Sequence, residues 1–429
     1  MKAIGIDIGT TSICGVAIDV QTGELLQAVT KDSHAFVDGA ADWEKIQSAE
    51  KIITVATEIL DGLITEDTAV IGVTGQMHGI VYTDRFGNAV SPLYTWQDGR
   101  GDQPFEGTTY AEFLGSNSGY GNVTDFYNRK NGLRPANAVF FCTIQDYFVM
   151  KLCGLKKPQI HITDAASFGL FDLESKQFAC DNGIEVIEGY KLAGEYRNIP
   201  VSLAIGDNQA SVLSSLASAE DLLINIGTGS QVSALCDRPI TAENIETRPF
   251  FEGRYLVVGS ALCGGRAYAV LKDFYKAVLS SVTQVDDETV YARMCDFAEN
   301  GEDTALCVDT RFAGTRTDHT VRGAICNISV DNFTPSALTK GVLDGMIKEL
   351  HDMYKAMHVH ISGIVGSGNG IRKNQALIQR AEKMFGHGIK IPLHKEEAAF
   401  GAALYGIISA GYCKNMAEAA KRIKFVPRS

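Results

Sequence analysis

The chain reads as an α/β protein of two lobes built on a duplicated fold, and three observations carry that reading. An alternating apolar meander opens the chain, a helical stretch with one apolar face leads into a short β-branched run, and the opening motif returns about half a chain later. Length agrees, because 429 residues exceed the roughly 250 to 300 at which single cores stop growing. Two lobes, 1–217 and 218–429, are the expected division.

The elements follow in order. Residues 3–8, 14–18 and 25–29 alternate apolar and polar side chains and are separated by Gly-containing turns, which predicts an antiparallel meander. Asp42 is placed to cap a helix whose apolar positions would be Trp43, Ile46, Ala49, Ile53, Ala56 and Leu60. Residues 69–74 are short and β-branched, as in a strand buried between helices. A further apolar strand, 201–205, ends at Gly206-Asp207, and the Ala-Ser-rich passage 210–219 predicts a helix closing the first lobe. The motif "LLINIGTGSQVSALC" then repeats the opening "IGIDIGTTSICGVAID". Ile6-Asp7-Ile8-Gly9-Thr10 aligns with Ile224-Asn225-Ile226-Gly227-Thr228 at one constant shift, 225 minus 7, or 218. Beyond it lie an irregular stretch at 311–327 and a long amphipathic helix over about 335–357. A strand, Gly-rich turn and helix fill 363–386, and a last helix over about 395–410 carries the small-residue pattern "EEAAFGAALYG".

Bulk properties exclude several classes. With 39 basic and 51 acidic residues the net charge is −12, which disfavours nucleic acid and anionic membrane as partners. No apolar run reaches the roughly 20 residues that cross a bilayer; the nearest, 398–410, is rich in Ala and Gly. The first residues enter a strand without a basic segment and a long apolar core, so no secretory signal is expected and a cytoplasmic protein is. The ten cysteines are scattered singly without C-x-x-C, which fits buried reduced thiols better than a zinc site or disulfide framework.

The two Gly-Thr hairpins, facing each other across a cleft, would set backbone amides and the hydroxyls of Thr10, Thr11, Ser12, Thr228 and Ser230 around nucleotide phosphates. Each hairpin alone is also an ordinary tight turn. No P-loop pattern occurs, and "GSGNGI" has Ile371 where a dinucleotide fingerprint needs its third glycine. A carboxylate is costly to bury unless paired or beside a metal, so Asp7 points to Mg²⁺ held largely through waters; the alternative is an Asp that bonds its own turn. Asp207 ends a strand at the side where open α/β sheets hold ligands. It is a candidate base for an attacking hydroxyl, or else only caps the next helix. "VTGQMHG" and "LYTWQDGRG" bring Gln76, His78, Trp96, Asp98 and Arg100 together, an aromatic ring among polar groups that suits a polyhydroxylated ligand. His78 could equally serve a packed turn.

These residues resemble those of the FGGY carbohydrate kinases, across nearly the whole chain. "DIGTTS" and "NIGTGSQ" are similar to the family's two phosphate motifs, "GDNQA" to its catalytic segment, "GSGNGIRKNQAL" to its adenosine motif and "SALCGGRAYAVLKDFY" to its nucleotide-side helix start. The resemblance implies a ribonuclease-H-like fold of the actin and hexokinase type, with the active site in the cleft between lobes and ATP and Mg²⁺ as cofactors. It also implies a small-molecule ketose substrate. "GQMHG" is shared by xylulose and sedoheptulose kinases, whereas "TWQDGR", "SGYGNVTDFY" and "GDNQASV" look more like the sedoheptulose branch. Carried over, Asp207 would be the catalytic base and Asp7 the Mg²⁺ residue. Thr10, Thr11, Ser12, Gly227 and Thr228 would hold phosphates, and Gly265, Gly368 and Asn374 would border the nucleotide. Gln76, Met77, His78, Trp96, Asp98, Arg100, Asp207 and Asn208 would line the sugar pocket. A homodimer stays open. One segment departs from the family pattern: "FAGTRTDHTVRG" lacks the usual proline, which bears on lid contacts and oligomer surfaces more than on the chemistry. Two rival readings stand beside this one: a kinase of xylulose, ribulose or another ketose, and an ATP-switched chaperone or scaffold of the same fold.

Overall fold

The computed structural model describes residues 1–427. They form two compact units, each organised around one six-stranded sheet.

In the first unit the expected meander is present as β1 (Lys2–Ile8), β2 (Ser12–Asp19) and β3 (Leu25–Asp32), paired antiparallel. The helix that follows, α1, runs Ala49–Leu63 and is capped by Ser48, whose side chain accepts from the Lys51 amide. It therefore starts later than the apolar spacing suggested. Ile46 and Gln47 form a short strand instead, and Trp43 sits in a loop edge-on to Tyr127, so two apolar positions assigned to the helix belong to other contacts. Strand β4 (Thr68–Gly75) lies parallel to β1. After β5 (Leu192–Tyr196), strand β6 (Ile199–Gly206) runs parallel to β4 and leads directly into α2 (Asp207–Ser215). The sheet order is β5-β6-β4-β1-β2-β3. Its core is aliphatic, with Ile4, Ile6, Ile8, Ile71 and Val73 fully buried.

The second unit repeats the plan. A hairpin of β7 (Asp221–Ile226) and β8 (Ser230–Cys236) begins it, β9 (Ile245–Pro249) follows, and β10 (Tyr255–Ala261) pairs antiparallel with β8. Helix α3 spans Gly265–Ser280, and a two-stranded ribbon joins β11 (Cys307–Asp309) to β12 (Ala324–Cys326). The long helix α4 (Pro335–Met357) matches its expected span, capped by Thr334. Strand β13 (Gly363–Ser367) runs parallel to β7, followed by α5 (Gly368–Lys373), α6 (Gln375–Phe385) and the short β14 (Ile389–Lys390). The order β9-β10-β8-β7-β13-β14 contains the same succession as the first sheet: three antiparallel strands, then two parallel ones. The motif repeat is thus a repeat of architecture.

The expected contiguous second lobe, 218–429, needs correction. The chain divides at Ala217 and Ser218, but residues 394–424 pack with the first unit, as does the short return 248–254. Helix α7 (Glu397–Ser409) lies so close to the first sheet that a Cβ on Gly5 or Gly72 would sit 1.8 Å from the carbonyl oxygen of Ala399 or Ala402. A Cβ on Gly401 would meet the Ala210 carbonyl of α2 at the same distance. Small residues on both surfaces allow this approach, and it fixes α7 in the first unit.

Candidate active site

Asp207 is the first residue of α2, at the carboxyl end of β6. Its own side chain does not cap the helix; Gly206 occupies the cap position without a side-chain bond. The Asp207 Oδ1 accepts from the Asn208 amide at 2.6 Å and from Asn208 Nδ2 at 3.1 Å. Burial holds its carboxyl above the usual range, with the Arg248 guanidinium opposing. Asn208 Nδ2 and Arg248 Nη1 also approach Met77 Sδ, at 3.9 and 3.8 Å. Arg248 arrives on the 248–254 return, which is anchored where Gln209 Nε2 donates to the Pro249 carbonyl at 3.0 Å. The sequence reading missed Arg248, and no local pattern marks it.

Asp7, near the end of β1, is half-buried. Its carboxyl is pushed up to about 7 by burial and then by the charges of Asp207 and Glu396, all three acting in the same direction. Glu396 occupies the cap position before α7 and receives the Cys14 thiol at 3.6 Å; it too was absent from the expected set. A site where carboxylates repel one another is suited to a divalent cation. Among the described residues no group of three or more His, Cys, Asp or Glu side chains is gathered closely enough to hold a metal.

Thr10 proves to be a junction. Its hydroxyl donates to Gln76 Oε1 at 3.3 Å and accepts from Trp96 Nε1 at 2.9 Å. Gln76 Nε2 donates onward to Gln47 Oε1 at 3.0 Å, and Gln47 returns a bond to the Thr10 carbonyl at 2.5 Å. The ring of Trp96 is 45% exposed, so an aromatic face is held at the surface by its one polar atom. Thr11 is exposed and Ser12 half-buried at the start of β2.

His78 has φ of 74°, a left-handed backbone that costs a residue with a Cβ and persists only where its surroundings enforce it. Ser167 supplies the enforcement: its Oγ accepts the His78 amide at 3.1 Å, and its carbonyl lies 2.8 Å from His78 Nδ1. Tyr120 stacks on the imidazole at 4.2 Å between centroids. Ser167 Oγ in turn donates to the Asp164 carbonyl at 2.7 Å, and Asp164 Oδ1 accepts from Gln145 Nε2 at 2.9 Å. Thus a buried polar chain stands behind the histidine.

Asp98 and Arg100 are brought near the others but are committed to each other. The guanidinium pairs with Asp98 and, at 2.9 Å, with Glu44, and its plane lies over Tyr94 at 4.3 Å. Asp98 also takes the Lys45 and Arg100 amides. Both are buried, and burial raises the Asp98 carboxyl against the pull of Arg100. Their groups hold the loop that carries Trp96.

In the second unit a cavity of about 740 Å³ is lined by Gly227, Thr228, Gly265, Arg266, Lys373 and Asn374, among others. The volume falls within the range of small-molecule sites. The Gly265 and Arg266 amides donate to the Gly227 and Thr228 carbonyls at 2.8 and 3.0 Å, joining α3 to the hairpin. Gly368 has φ of 81°, and a Cβ there would lie 2.5 Å from the Ile226 carbonyl oxygen; only glycine fits the turn that opens α5. Asn374 caps α6 by accepting the Leu377 amide. Arg266 and Lys373, which add positive charge to a cavity without an acidic lining residue, were not singled out in the sequence.

A Gly-Thr hairpin in each unit, a cavity of small-molecule size beside the second and a strand-end carboxylate beside polar groups are the features of a phosphotransferase on a duplicated α/β scaffold. Residues 2–112 match the N-terminal domain, and residues 222–410 the C-terminal domain, of the FGGY family of carbohydrate kinases. The chain belongs to that family and is a carbohydrate kinase, with ATP as co-substrate. It is similar to the sedoheptulokinase of Mus musculus, 28% identical with 94% of this chain and 96% of that one covered. It is also similar to the xylulose kinase of Staphylococcus xylosus, at 23% identity with 94% and 89% covered. The crystal structure of xylulose kinase from Rhodospirillum rubrum superposes with a TM-score of 0.83 at 16% identity, covering 100% of this chain and 93% of that one. The fold is the ribonuclease-H-like one of actin and hexokinase. No helix of the described residues is long and apolar enough to cross a membrane.

Proposed function

We propose that the chain transfers the γ-phosphoryl group of ATP to a terminal hydroxyl of a ketose, with sedoheptulose as the acceptor and sedoheptulose 7-phosphate as the product. The observation that carries the reading is the gathering of Asp207, Asn208, Met77 and Arg248 at one strand end. The sedoheptulokinase likeness over 94% of the chain supports the choice of ketose.

In this reading Asp207 accepts the proton of the attacking hydroxyl, and Asn208 fixes the orientation of its carboxylate. Arg248 would hold Asp207 ionised against the burial that favours its protonated form. Trp96 would pack on a C–H face of the sugar while His78 and Gln76 meet hydroxyls. The hairpin amides, Thr228, Arg266 and Lys373 would position the phosphates for in-line transfer. Asp7 would hold Mg²⁺ through its waters; that ion, when bound, supplies charge neutralisation on the transferring phosphates.

An ADP-release assay over sedoheptulose, xylulose, ribulose, other ketoses, polyols and a sugar-free control tests the proposal. Strong release with sedoheptulose and little without sugar is expected. A larger kcat/KM for xylulose or ribulose would move the assignment to another ketose. Sugar-independent ATP hydrolysis would favour the chaperone or scaffold reading.

A further inference from the structure

The sequence reading expected buried, reduced thiols throughout, and two of the ten depart from it. Four cysteines are buried and four are half-buried; Cys307 and Cys326 are the two exposed ones. These two lie directly opposite each other, Cys307 on β11 and Cys326 on β12, in an antiparallel ribbon. Directly opposed residues of an antiparallel pair put their side chains on the same face with Cβ atoms about 4.5 to 5.5 Å apart. Both cysteines line one cavity of about 620 Å³, beside Thr310, Arg311 and Glu349. The thiols are within hydrogen-bonding reach of each other, and the nearness of Cys307 is the leading cause of the raised Cys326 thiol.

The chain between them, 308–325, contains most of the stretch 311–327 read as irregular, with the "FAGTRTDHTVRG" segment that departs from the family pattern. Its first part is packed, with Val308, Thr310 and Thr315 buried and Phe312 against the core, whereas beyond it the polar ties to the rest of the unit include Arg316 to Glu246 at 3.2 Å and Thr317 to Asn244 at 2.8 Å. Most of its residues from 316 to 325 are exposed. A covalent tie at the base of such a loop removes open conformations, and closing it asks the two Cβ atoms to approach by only about 1 Å.

We propose that Cys307 and Cys326 form a reversible intrachain disulfide, a redox modification site that clasps the 308–325 loop in the oxidised chain. The oxidant is a peroxide. One thiolate attacks a peroxide oxygen, giving a sulfenic acid and one water; the second thiolate attacks that sulfur, forming the S–S bond and releasing a second water. Two thiol protons and two electrons thus reduce one peroxide. A dithiol reductant reverses the step by exchange. Opposed, exposed thiols are open to oxidant and reductant alike, which suits a reversible rather than a structural disulfide.

The test treats the folded, full-length wild-type chain with hydrogen peroxide and maps its peptides without reduction. A mass lower by about 2 Da and a peptide joining Cys307 to Cys326 are expected, both reversed by dithiothreitol. Trypsin cleavage after Arg316 and Arg322 should slow by about tenfold in the oxidised chain. Cys307→Ser and Cys326→Ser should each abolish the link and the protection. Mapping of the wild type decides the matter even if a variant folds poorly. Sulfinic acid on one cysteine without the link, disulfides between chains, or two thiols still free after peroxide would each overturn the proposal.

Discussion

The two Gly-Thr hairpins share a backbone plan and differ in one decisive side chain. In the first, Asp7 stands across from Cys14 and Thr74; in the second, the equivalent Asn225 stands across from Gln231 and Ser367. Asn225 is satisfied locally, since its Nδ2 donates to Ser367 Oγ at 2.7 Å. Thr74 offers Asp7 no such help, because its hydroxyl donates to the Ile205 carbonyl at 2.7 Å. The surroundings extend the contrast. Asp7 feels Asp207 and Glu396, whereas the cavity beside Asn225 is lined by Arg266 and Lys373 and by no acid. Duplication therefore preserved the turn and let the electrostatics diverge. One copy suits a cation and a proton acceptor, and the other suits an anion.

The largest expected effect lies on the acidic side. Asp207→Ala should lower kcat by about 10² to 10⁴ while leaving the KM for ATP within about twofold. Near-normal sugar-dependent turnover would remove Asp207 from the base role and leave the acidic unit without its principal residue. The mirror exchange of the hairpin side chains comes next. Asp7→Asn should raise the Mg²⁺ concentration for half-maximal rate by about tenfold, and Asn225→Asp should raise the KM for ATP by about tenfold through like-charge repulsion with phosphate. If both variants shift the same constant, the division of labour between hairpins is wrong.

Much of this was legible in the chain because it rests on local signals. The meander, the β4 run, the Pro335–Met357 helix and the 218-residue repeat are periodicity and motif, which one sequence contains. Asp207 and Asp7 stood out as charges set against apolar strands. What could not be read was brought in from afar. Arg248 and Glu396 reach the first unit on chain returns from residues 248–254 and 394–424, and nothing local announces a return. The start of α1 was misplaced for a related reason: Trp43 and Ile46 fit a helical spacing, but tertiary contacts with Tyr127 and a small sheet claimed them. Asp98 and Arg100 were recognised as a pair of interest, but their mutual commitment depends on Glu44 and Tyr94 closing the cage.

A smaller effect is expected at the support of His78. Ser167→Ala removes the acceptor of the His78 amide, and the loss of about 1 kcal/mol of hydrogen bonding should raise the sugar KM by about fivefold with kcat little changed. Ser167→Thr keeps the hydroxyl and should restore most of the affinity. Equal losses in both variants would mean that volume at 167, not the hydrogen bond, governs the histidine.

The subtlest difference between the units is how much buried acid the first one carries behind its site. Asp146 lies fully buried in the helix Ile144–Leu152, bonded to Thr143 through its amide and hydroxyl, and burial pushes its carboxyl up to about 7. In the unfolded chain the same group titrates near 3.9. Below about pH 4 both states hold the proton; between about 4 and 7 the folded state keeps a proton that the unfolded state releases. The stability tied to that proton is therefore fully present in acid and lost as pH rises through about 7. Asp146→Asn keeps an oxygen for Thr143 and removes the titration. Its Tm minus that of the wild type should grow by a few degrees from pH 5 to pH 8. A difference that stays flat over this range would show that Asp146 ionises without cost, and that the acidic character of the first unit stops at Asp7 and Asp207 rather than extending through its core.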